Sequence, residues 1–206
     1  MKSFLLILVV LASPILLASP LYPQQVEAPV YKDGDWWRVR VEVTHAGSFQ
    51  RPGLCEEIYG EYLVRIEDGM PQTYATVSGK EKTIQCPQIL SQLLDMGAER
   101  RALLQFPLKV ENSGKFPYRR ASPNSGRVSW FAAESKVKSF GKVKTPKGEL
   151  EAFKIERYAE GALTETYYYS PSVKAIILFD RKTVAAHRIV TLIDYGAGPA
   201  ARAGKG

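Results

Sequence analysis

Residues 149–195 carry the clearest structural signal in the chain: ELEAFKIERYAEGALTETYYYSPSVKAIILFDRKTVAAHRIVTLIDY. Strand-like runs alternate here with short turns such as Ala159-Glu160-Gly161. Even spacing of this kind predicts consecutive antiparallel strands. In the first run the apolar phase slips between Ala152 and Phe153, which predicts a β-bulge. The predicted strands are 149–158, 163–170, 175–180 and 187–195.

The same pattern extends toward the N-terminus. The segment WWRVRVEV at 36–43 alternates apolar and polar residues, which is typical of a half-buried strand. Further along, 62–66 and 72–77 flank the turn pair Asp68-Gly69, which predicts a β-hairpin. Two more strands are predicted at 128–140 and 142–145.

Two segments depart from the strand pattern. Pro87 precedes QILSQLLDM, whose apolar residues share one side, and Gly97 follows it, so we predict one helix of about ten residues. Residues 111–127 are rich in turn-forming residues, including Pro117 and Pro123. They are predicted to form a long connection or a poorly ordered loop.

These patterns predict a mainly β (β-rich α+β) fold. We expect an antiparallel meander that forms a curved sheet, a half-barrel or a sandwich, with one short helix. A length of 206 residues with 45% apolar residues suits one globular domain and excludes disordered, collagenous and coiled-coil chains. We expect a monomer with a Pro-rich lead at 19–30, a single β-rich domain at 31–195 and a disordered tail at 196–206.

The N-terminus predicts export. Lys2 is followed by the apolar run FLLILVVLASPILLA and then by a polar, Pro-rich segment, which is typical of a signal peptide at 1–18 cleaved near Ala18 or Ser19. As a helix the apolar run spans about 22 Å, whereas a bilayer core is about 30 Å thick, and Pro14 interrupts it. An uncleaved membrane tether is the alternative. We therefore expect an exported protein, either periplasmic or secreted.

Cys55 and Cys86 are the only cysteines in the sequence. In an oxidising compartment an even pair is expected to form a structural disulfide. It would close a loop of about thirty residues and stabilise the fold by about 3 to 4 kcal/mol. Free buried thiols or a reactive cysteine are the alternatives, although no C-x-x-C spacing supports redox chemistry.

The sequence carries few residues suited to catalysis. His45 and His187 are the only histidines, and no zinc-binding spacing, serine-nucleophile elbow or phosphate-binding loop occurs. We therefore predict no metal site, no catalytic residue and no cofactor. An uncharacterised hydrolase that gathers one histidine with a carboxylate is the alternative.

Positive charge is concentrated in the middle of the chain. The net charge is +7, yet residues 99–148 alone hold 12 basic and 3 acidic residues. Four of the lysines are predicted to share one strand phase with Phe140. Such a face suits an anionic envelope polymer, an acidic lipid headgroup or an acidic protein, and export makes nucleic acid an unexpected partner. Alternatively, the lysines only protect a solvent-facing strand. The candidate anion-binding residues are Arg119, Arg120, Arg127, Lys136, Lys138, Lys142 and Lys144.

Aromatic residues in the predicted strands suggest an apolar ligand surface. A curved sheet lined by them would form a concave surface for a lipid or an extended partner, although aromatics at this spacing also form plain cores. The candidates are Trp37, Trp130, Tyr167 and Tyr169. The leading hypothesis is an exported binding or chaperone-like module. The second is attachment to an anionic polymer or membrane through residues 100–147.

Several motifs carry a family resemblance. They are Gly34-Asp35-Trp36-Trp37 before an early strand, Phe106-Pro107-Leu108 in mid-chain, the spaced set Val143, Pro146, Gly148, Ala152 and Ile155, and the turn Tyr167, Tyr169, Ser170 and Pro171. By these motifs the chain resembles secreted bacterial β-rich envelope proteins of unknown function, the TapB-like or DUF3108-type proteins. The resemblance implies a β-rich fold and an envelope location, and none of its motifs is catalytic.

Overall fold

The structure is a computed structural model that describes residues 25–45, 60–77, 80–95, 104–121, 128–183 and 186–198. These residues form one helix, α1, and a single antiparallel sheet. The strands are β1 Asp35–His45, β2 Gly60–Glu67, β3 Met70–Val77, β4 Lys80–Ile84, β5 Ser113–Ala121, β6 Val128–Thr145, β7 Gly148–Ala159, β8 Ala162–Ser170, β9 Ala175–Lys182 and β10 Ala186–Ala197. The predicted mainly β fold with one short helix is confirmed.

The sheet joins two meanders. Its strand order is β4-β3-β2-β1-β10-β9-β8-β7-β6-β5, so β1–β4 and β5–β10 each run in sequence order and meet where β1 pairs with β10. The sheet is not closed, and its edges are β4 and β5. Because the chain must travel from one edge to the other between these strands, the connection crosses the sheet.

Helix α1, Pro87–Leu93, lies in that connection. It packs on β9 and β3, and Ile89 and Leu93 belong to the same buried cluster as Val39 and Val41 of β1. We call the side of the sheet that carries this cluster the inner face. Residues 104–110 also cover it, because Leu108 is buried there and pairs with Val26 of the N-terminal lead. The core therefore lies between the sheet and these three short segments.

The sheet is bent. Neighbouring strands lie about 4.8 Å apart, so four steps across a flat sheet would separate β6 from β10 by about 19 Å. Nevertheless Lys147, in the turn between β6 and β7, places its Nζ atom 2.7 Å from Asp194 Oδ1 on β10. The end of the β6–β7 hairpin therefore bends back toward β10, as expected for a curved sheet.

Most predicted strands are present, with corrections at both edges and ends. The 62–66 and 72–77 hairpin corresponds to β2 and β3, while the two strands predicted at 128–140 and 142–145 form one continuous strand, β6. The loop predicted at 111–127 is wrong, because β5 lies within it. Strand β4 was not predicted from the sequence.

The end of the helix and the end of the last strand also differ from the expectation. Helix α1 ends at Leu93 rather than near Gly97, which lies outside the described residues. β10 continues to Ala197, and the N–H of Gly198 donates to the Gly34 carbonyl at 2.9 Å, so the first residues of the expected tail are ordered against β1. The predicted signal peptide at 1–18 lies outside the described residues.

The predicted β-bulge lies on different strands. In the β6–β7 pair the register shifts between Val137 and Ser139, which leaves Lys138 of β6 as the extra residue. In the β7–β8 pair it shifts between Arg157 and Tyr158, opposite the extra Thr164 of β8. No shift occurs at Ala152 and Phe153, both of which are buried.

Candidate binding site on the inner face

An apolar row crosses the inner face. Cross-strand partners share a face of the sheet, and five consecutive strands contribute one partner each. All five side chains are buried, and the rings of Tyr167 and Phe179 stack with centroids 5.6 Å apart. The apolar row consists of Val137, Ile155, Tyr167, Phe179 and Val190.

A polar row runs beside it. Moving two residues along each strand keeps the same face and advances about 7 Å, and there the same five strands present polar partners in register. The polar row consists of Ser135, Arg157, Glu165, Arg181 and Arg188. It holds three guanidinium groups and one carboxylate, on a face that is otherwise mostly apolar.

The middle of the polar row is a buried ion pair. Arg157 Nη1 donates to Glu165 Oε2 at 2.8 Å, and the two side chains are only 4% and 6% exposed. The Tyr167 hydroxyl donates to the same carboxylate oxygen at 2.6 Å. Burial alone would raise the pKa of Glu165, but the Arg157 and Arg181 cations outweigh it and hold the pKa below its usual range. Glu165 is therefore ionised at neutral pH.

The remaining cations of the polar row have less acidic surroundings. Arg181 Nε lies 3.4 Å from Glu165 Oε1, and its side chain is 45% exposed. The Arg188 Nε–H donates to the amide oxygen of Gln92 on α1 at 3.1 Å. Burial lowers the pKa of Arg188, and the Arg181 cation lowers it further. Within the described residues, no carboxylate forms an ion pair with Arg188, yet a guanidinium stays protonated at neutral pH.

A small cavity of about 40 Å³ lies at the β6 end of both rows. Its lining includes Ser135 of the polar row, Val137 and Ile155 of the apolar row, and Gln105 and Asn112 from the covering connection. The Ser135 hydroxyl is buried with no hydrogen-bond partner among the described atoms. The cavity has room for about one water molecule, whereas a ligand pocket usually measures about 300 Å³ or more.

The predicted aromatic residues do not form an open surface. Trp37, Tyr167 and Tyr169 are all buried. Phe106 packs edge-on against Tyr169 with ring centroids 5.5 Å apart, and the indole N–H of Trp37 donates to the Val173 carbonyl at 2.8 Å. Short covering segments therefore occupy the concave side. Trp130, by contrast, is 56% exposed and lies near the start of β6, away from the other three.

The predicted basic residues do not share one face. Lys136 pairs with Glu156, whereas Phe140 pairs with Phe153, three residues away and therefore on the opposite face of β7. The bulge at Lys138 causes this change of phase, because one extra residue inverts the alternation. Lys142 and Lys144 remain in phase with Phe140, and their cross-strand partners Glu151 and Glu149 are acidic.

Acidic residues also contact two of these lysines directly. Lys136 Nζ lies 3.1 Å from Glu134 Oε2, and Lys142 Nζ lies 3.8 Å from Glu149 Oε2. Arg119 and Arg120 lie in β5, opposite Trp130 and Ser129. Arg127 lies outside the described residues. The basic segment of the sequence is thus divided between lysines interleaved with glutamates and arginines near Trp130.

The remaining sequence candidates lie elsewhere. Cys86 is buried at the start of α1, and its predicted partner Cys55 lies outside the described residues, so the disulfide stays a prediction. His187 Nε2 lies 2.8 Å from Asp180 Oδ1 in a half-exposed pair on the face opposite the aromatic side chains, and the backbone of His45 pairs with Ala186. In the described parts of the chain, His, Cys, Asp and Glu form no group suited to holding a metal ion.

The polar row was not predicted from the sequence. A usable signal was present: Arg157, Glu165, Arg181 and Arg188 each lie two residues from a buried apolar residue in the same strand, so each faces inward. Their alignment into one row depends on the register of three strand pairs, which the sequence does not show.

No protein-family model matches the chain, and no curated protein sequence matches it. Among solved structures, it is similar to the hypothetical lipoprotein YmcC from Escherichia coli K12, with 9% identity and a TM-score of 0.39 over 81% of this chain and 85% of that chain. It is also similar to a proposed exported protein with a YmcC-like fold from Bacteroides fragilis NCTC 9343, with 8% identity and a TM-score of 0.31 over 84% and 99% of the two chains. Similarities this low carry no conclusion about function. Across the described ranges, α1 is too short to span a bilayer.

Proposed function

We propose that this chain is an exported protein of the bacterial envelope that binds an amphiphile with an anionic group, such as a fatty acid or an acidic lipid. The carrying observation is the polar row, in which three guanidinium groups accompany one carboxylate beside the buried apolar row. The apolar run after Lys2 supports export.

The excess positive charge indicates the polar end of the ligand. Leaving cations in a partly buried site without matching anions costs free energy, so such an arrangement favours binding of an anion. Glu165 neutralises Arg157, to which it is bonded at 2.8 Å. Arg188, held by the neutral Gln92, is then available to a carboxylate or phosphate, and the half-exposed Arg181, which shares Glu165 with Arg157, adds a second cation beside it.

The apolar row indicates the other end of the ligand. An acyl chain would lie along it, about 7 Å from the cations. In the present conformation α1 packs on β9, the strand that contributes Phe179 to this row, and the 40 Å³ cavity cannot hold a chain. Binding therefore requires α1 to move.

Helix α1 is suited to such movement. It has only seven residues, no side-chain N-cap, no acidic residue in its first turn and no basic residue in its last. A helix this short is stable only through packing. Displacing it exposes Ile89 and Leu93, at a cost of about 1.5 to 3 kcal/mol for each side chain. An acyl chain buried in their place would offset that cost.

The test compares oleate with oleyl alcohol, which has the same chain without the charge. We expect the delipidated protein to bind oleate at least about tenfold more tightly in calorimetric titration, because a charge-assisted hydrogen bond contributes about 1.5 to 3 kcal/mol. Arg188→Gln should remove most of this preference and leave the affinity for oleyl alcohol unchanged. Arg40→Gln, in an exposed ion pair with Glu61, is the matched control and should change neither.

The covering role of α1 is tested by hydrogen exchange. Oleate should increase amide exchange in residues 87–93, because the bound chain displaces the helix.

A second variant keeps the affinity comparison possible if Arg188→Gln does not fold. Arg181→Gln, at a half-exposed position, provides the same comparison. Equal affinity for the two probes, or no binding of oleate, would overturn the proposal.

A further inference from the structure

The β5–β6 hairpin extends beyond the rest of the sheet. β5 pairs with β6 from Ser113 to Ala121, whereas β6 pairs with β7 only from Ala133 onward. Five cross-strand pairs, from Pro117 and Ala132 to Ala121 and Val128, therefore form a two-stranded projection. We call residues 117–121 and 128–132 the ribbon.

The ribbon combines an exposed aromatic residue with positive charge. Trp130 is 56% exposed and is the one aromatic side chain among the large exposed hydrophobic residues of the described ranges. It occupies the register position opposite Arg119. Arg120 lies in the next pair. The ten residues of the ribbon contain no Asp or Glu. This distinguishes them from the lysines nearer the β6–β7 turn, which face Glu149 and Glu151.

The geometry points to an anionic phospholipid surface as the partner of the ribbon. Tryptophan prefers the boundary between the headgroups and the acyl chains, where its ring is buried while its N–H stays near water. Basic residues near the membrane are attracted to acidic headgroups. The exposed Trp130 favours a membrane over an acidic polymer, since charge neutralisation alone needs no exposed indole. This inference does not depend on a ligand of the inner face.

The position of the ribbon supports the same partner. A projection only two strands wide can enter the headgroup region while the body of the sheet stays in water. Its two strands pair with each other at five consecutive register positions, and Pro117 on the edge strand β5 carries no N–H. The ribbon therefore exposes fewer unpaired backbone groups to the lipid than a single extended segment would.

Binding to vesicles tests the inference. We use vesicles of phosphatidylcholine with and without phosphatidylglycerol, and we expect co-sedimentation only with the anionic vesicles and a decrease as salt concentration rises. Trp36 and Trp37 are buried, so a blue shift of tryptophan emission on binding should come from Trp130. The blue shift should therefore be absent in Trp130→Phe.

Charge variants locate the contact. Arg119→Gln with Arg120→Gln should weaken binding to the anionic vesicles about tenfold or more, since each basic residue near the surface contributes to the attraction. Lys142→Gln with Lys144→Gln removes the same charge from the other end of β6 and should change binding by less than about twofold. Trp130→Ser should also weaken binding, and unfolding midpoints confirm that all variants fold.

Three outcomes would overturn the inference. They are equal binding to neutral and anionic vesicles, an equal loss in the lysine control, and binding to polyglutamate without binding to vesicles. The last would assign the ribbon to an acidic polymer or protein. Oleate binding is measured without vesicles, so failure here and failure of the proposed function are distinguishable.

Discussion

Arg157 and Glu165 form an ion pair at 2.8 Å on neighbouring strands, with almost no access to solvent. Removing one partner of a buried pair leaves an uncompensated charge. Glu165→Gln should therefore lower the free energy of unfolding by about 3 to 5 kcal/mol, measured by chemical denaturation. Glu61→Gln, which breaks the exposed pair with Arg40, should cost less than about 1 kcal/mol. Similar losses in the two variants would contradict the assignment of Arg157 to a buried site.

The same carboxylate predicts a pH dependence. The pKa of Glu165 lies below the ordinary value of 4.5 in the folded protein, so its ionised form stabilises the fold above that value. This contribution is lost as the pH falls through the folded-state pKa. The free energies of unfolding of the wild type and Glu165→Gln should therefore differ by a constant amount near neutral pH and converge below about pH 4.5. A constant difference down to acid pH would contradict this.

The Tyr167 hydroxyl should contribute to the free energy of unfolding because its acceptor, Glu165, is both charged and buried. Tyr167→Phe removes the 2.6 Å bond to Glu165 and should cost about 1.5 to 3 kcal/mol of unfolding free energy. Tyr74→Phe is a matched control, since its hydroxyl donates at 2.7 Å to Glu67, whose side chain is 37% exposed. Solvent can replace that bond, so we expect a loss below about 1 kcal/mol.

Position 196 requires glycine because Trp36, its partner in the β1–β10 pair, leaves no room for a side chain. A Cβ atom at Gly196 would lie 2.9 Å from Trp36 Cζ2, and the Trp36 ring is buried, so it has little room to move. Gly196→Ala should cost about 1 to 3 kcal/mol, as overpacked sites do. Gly141→Ala is the control, because nothing lies within 4 Å of its Cβ position, and it should change stability by less than about 0.5 kcal/mol.

The predicted Cys55–Cys86 disulfide can be tested on protein purified from an oxidising compartment. Titration of the denatured protein should detect no free thiol, and peptide mass mapping should join the two cysteines. The double variant Cys55→Ser with Cys86→Ser should lose about 3 kcal/mol of unfolding free energy. Two titratable thiols in the unreduced protein would refute the pairing.

The strands that the sequence predicts well are those with one clearly buried face. β1 alternates from Trp37 to Val43, and β2 and β3 flank the Asp68-Gly69 turn. β4 was missed because its KEKTI sequence is almost wholly exposed and carries no alternation. β5 was missed because Gly114 and Pro117 suggest a loop, yet an edge strand tolerates proline since its outer N–H groups need no partner.

The site was harder to predict than the fold. Whether the lysines share one face of the sheet depends on one extra residue, Lys138. A count of charges along the sequence also omits the glutamates that the neighbouring strand β7 contributes. The inner face looked open because the sequence does not show that α1 crosses it. Arg157, Glu165 and Arg188 can be recognised as members of one row only when the register of β6 to β10 is known.

The pairing of β1 with β10 sets the order in which the chain can fold. Trp37 pairs with Tyr195, which lies far from it in the sequence and in a different meander. Contacts between residues so distant in sequence slow folding, because the intervening chain must first be ordered. The two meanders therefore cannot join into one sheet until the last strand has been synthesised. A chain with this topology has an incomplete sheet until β10 has been synthesised, and an incompletely folded state is the one in which exported polypeptides cross a membrane.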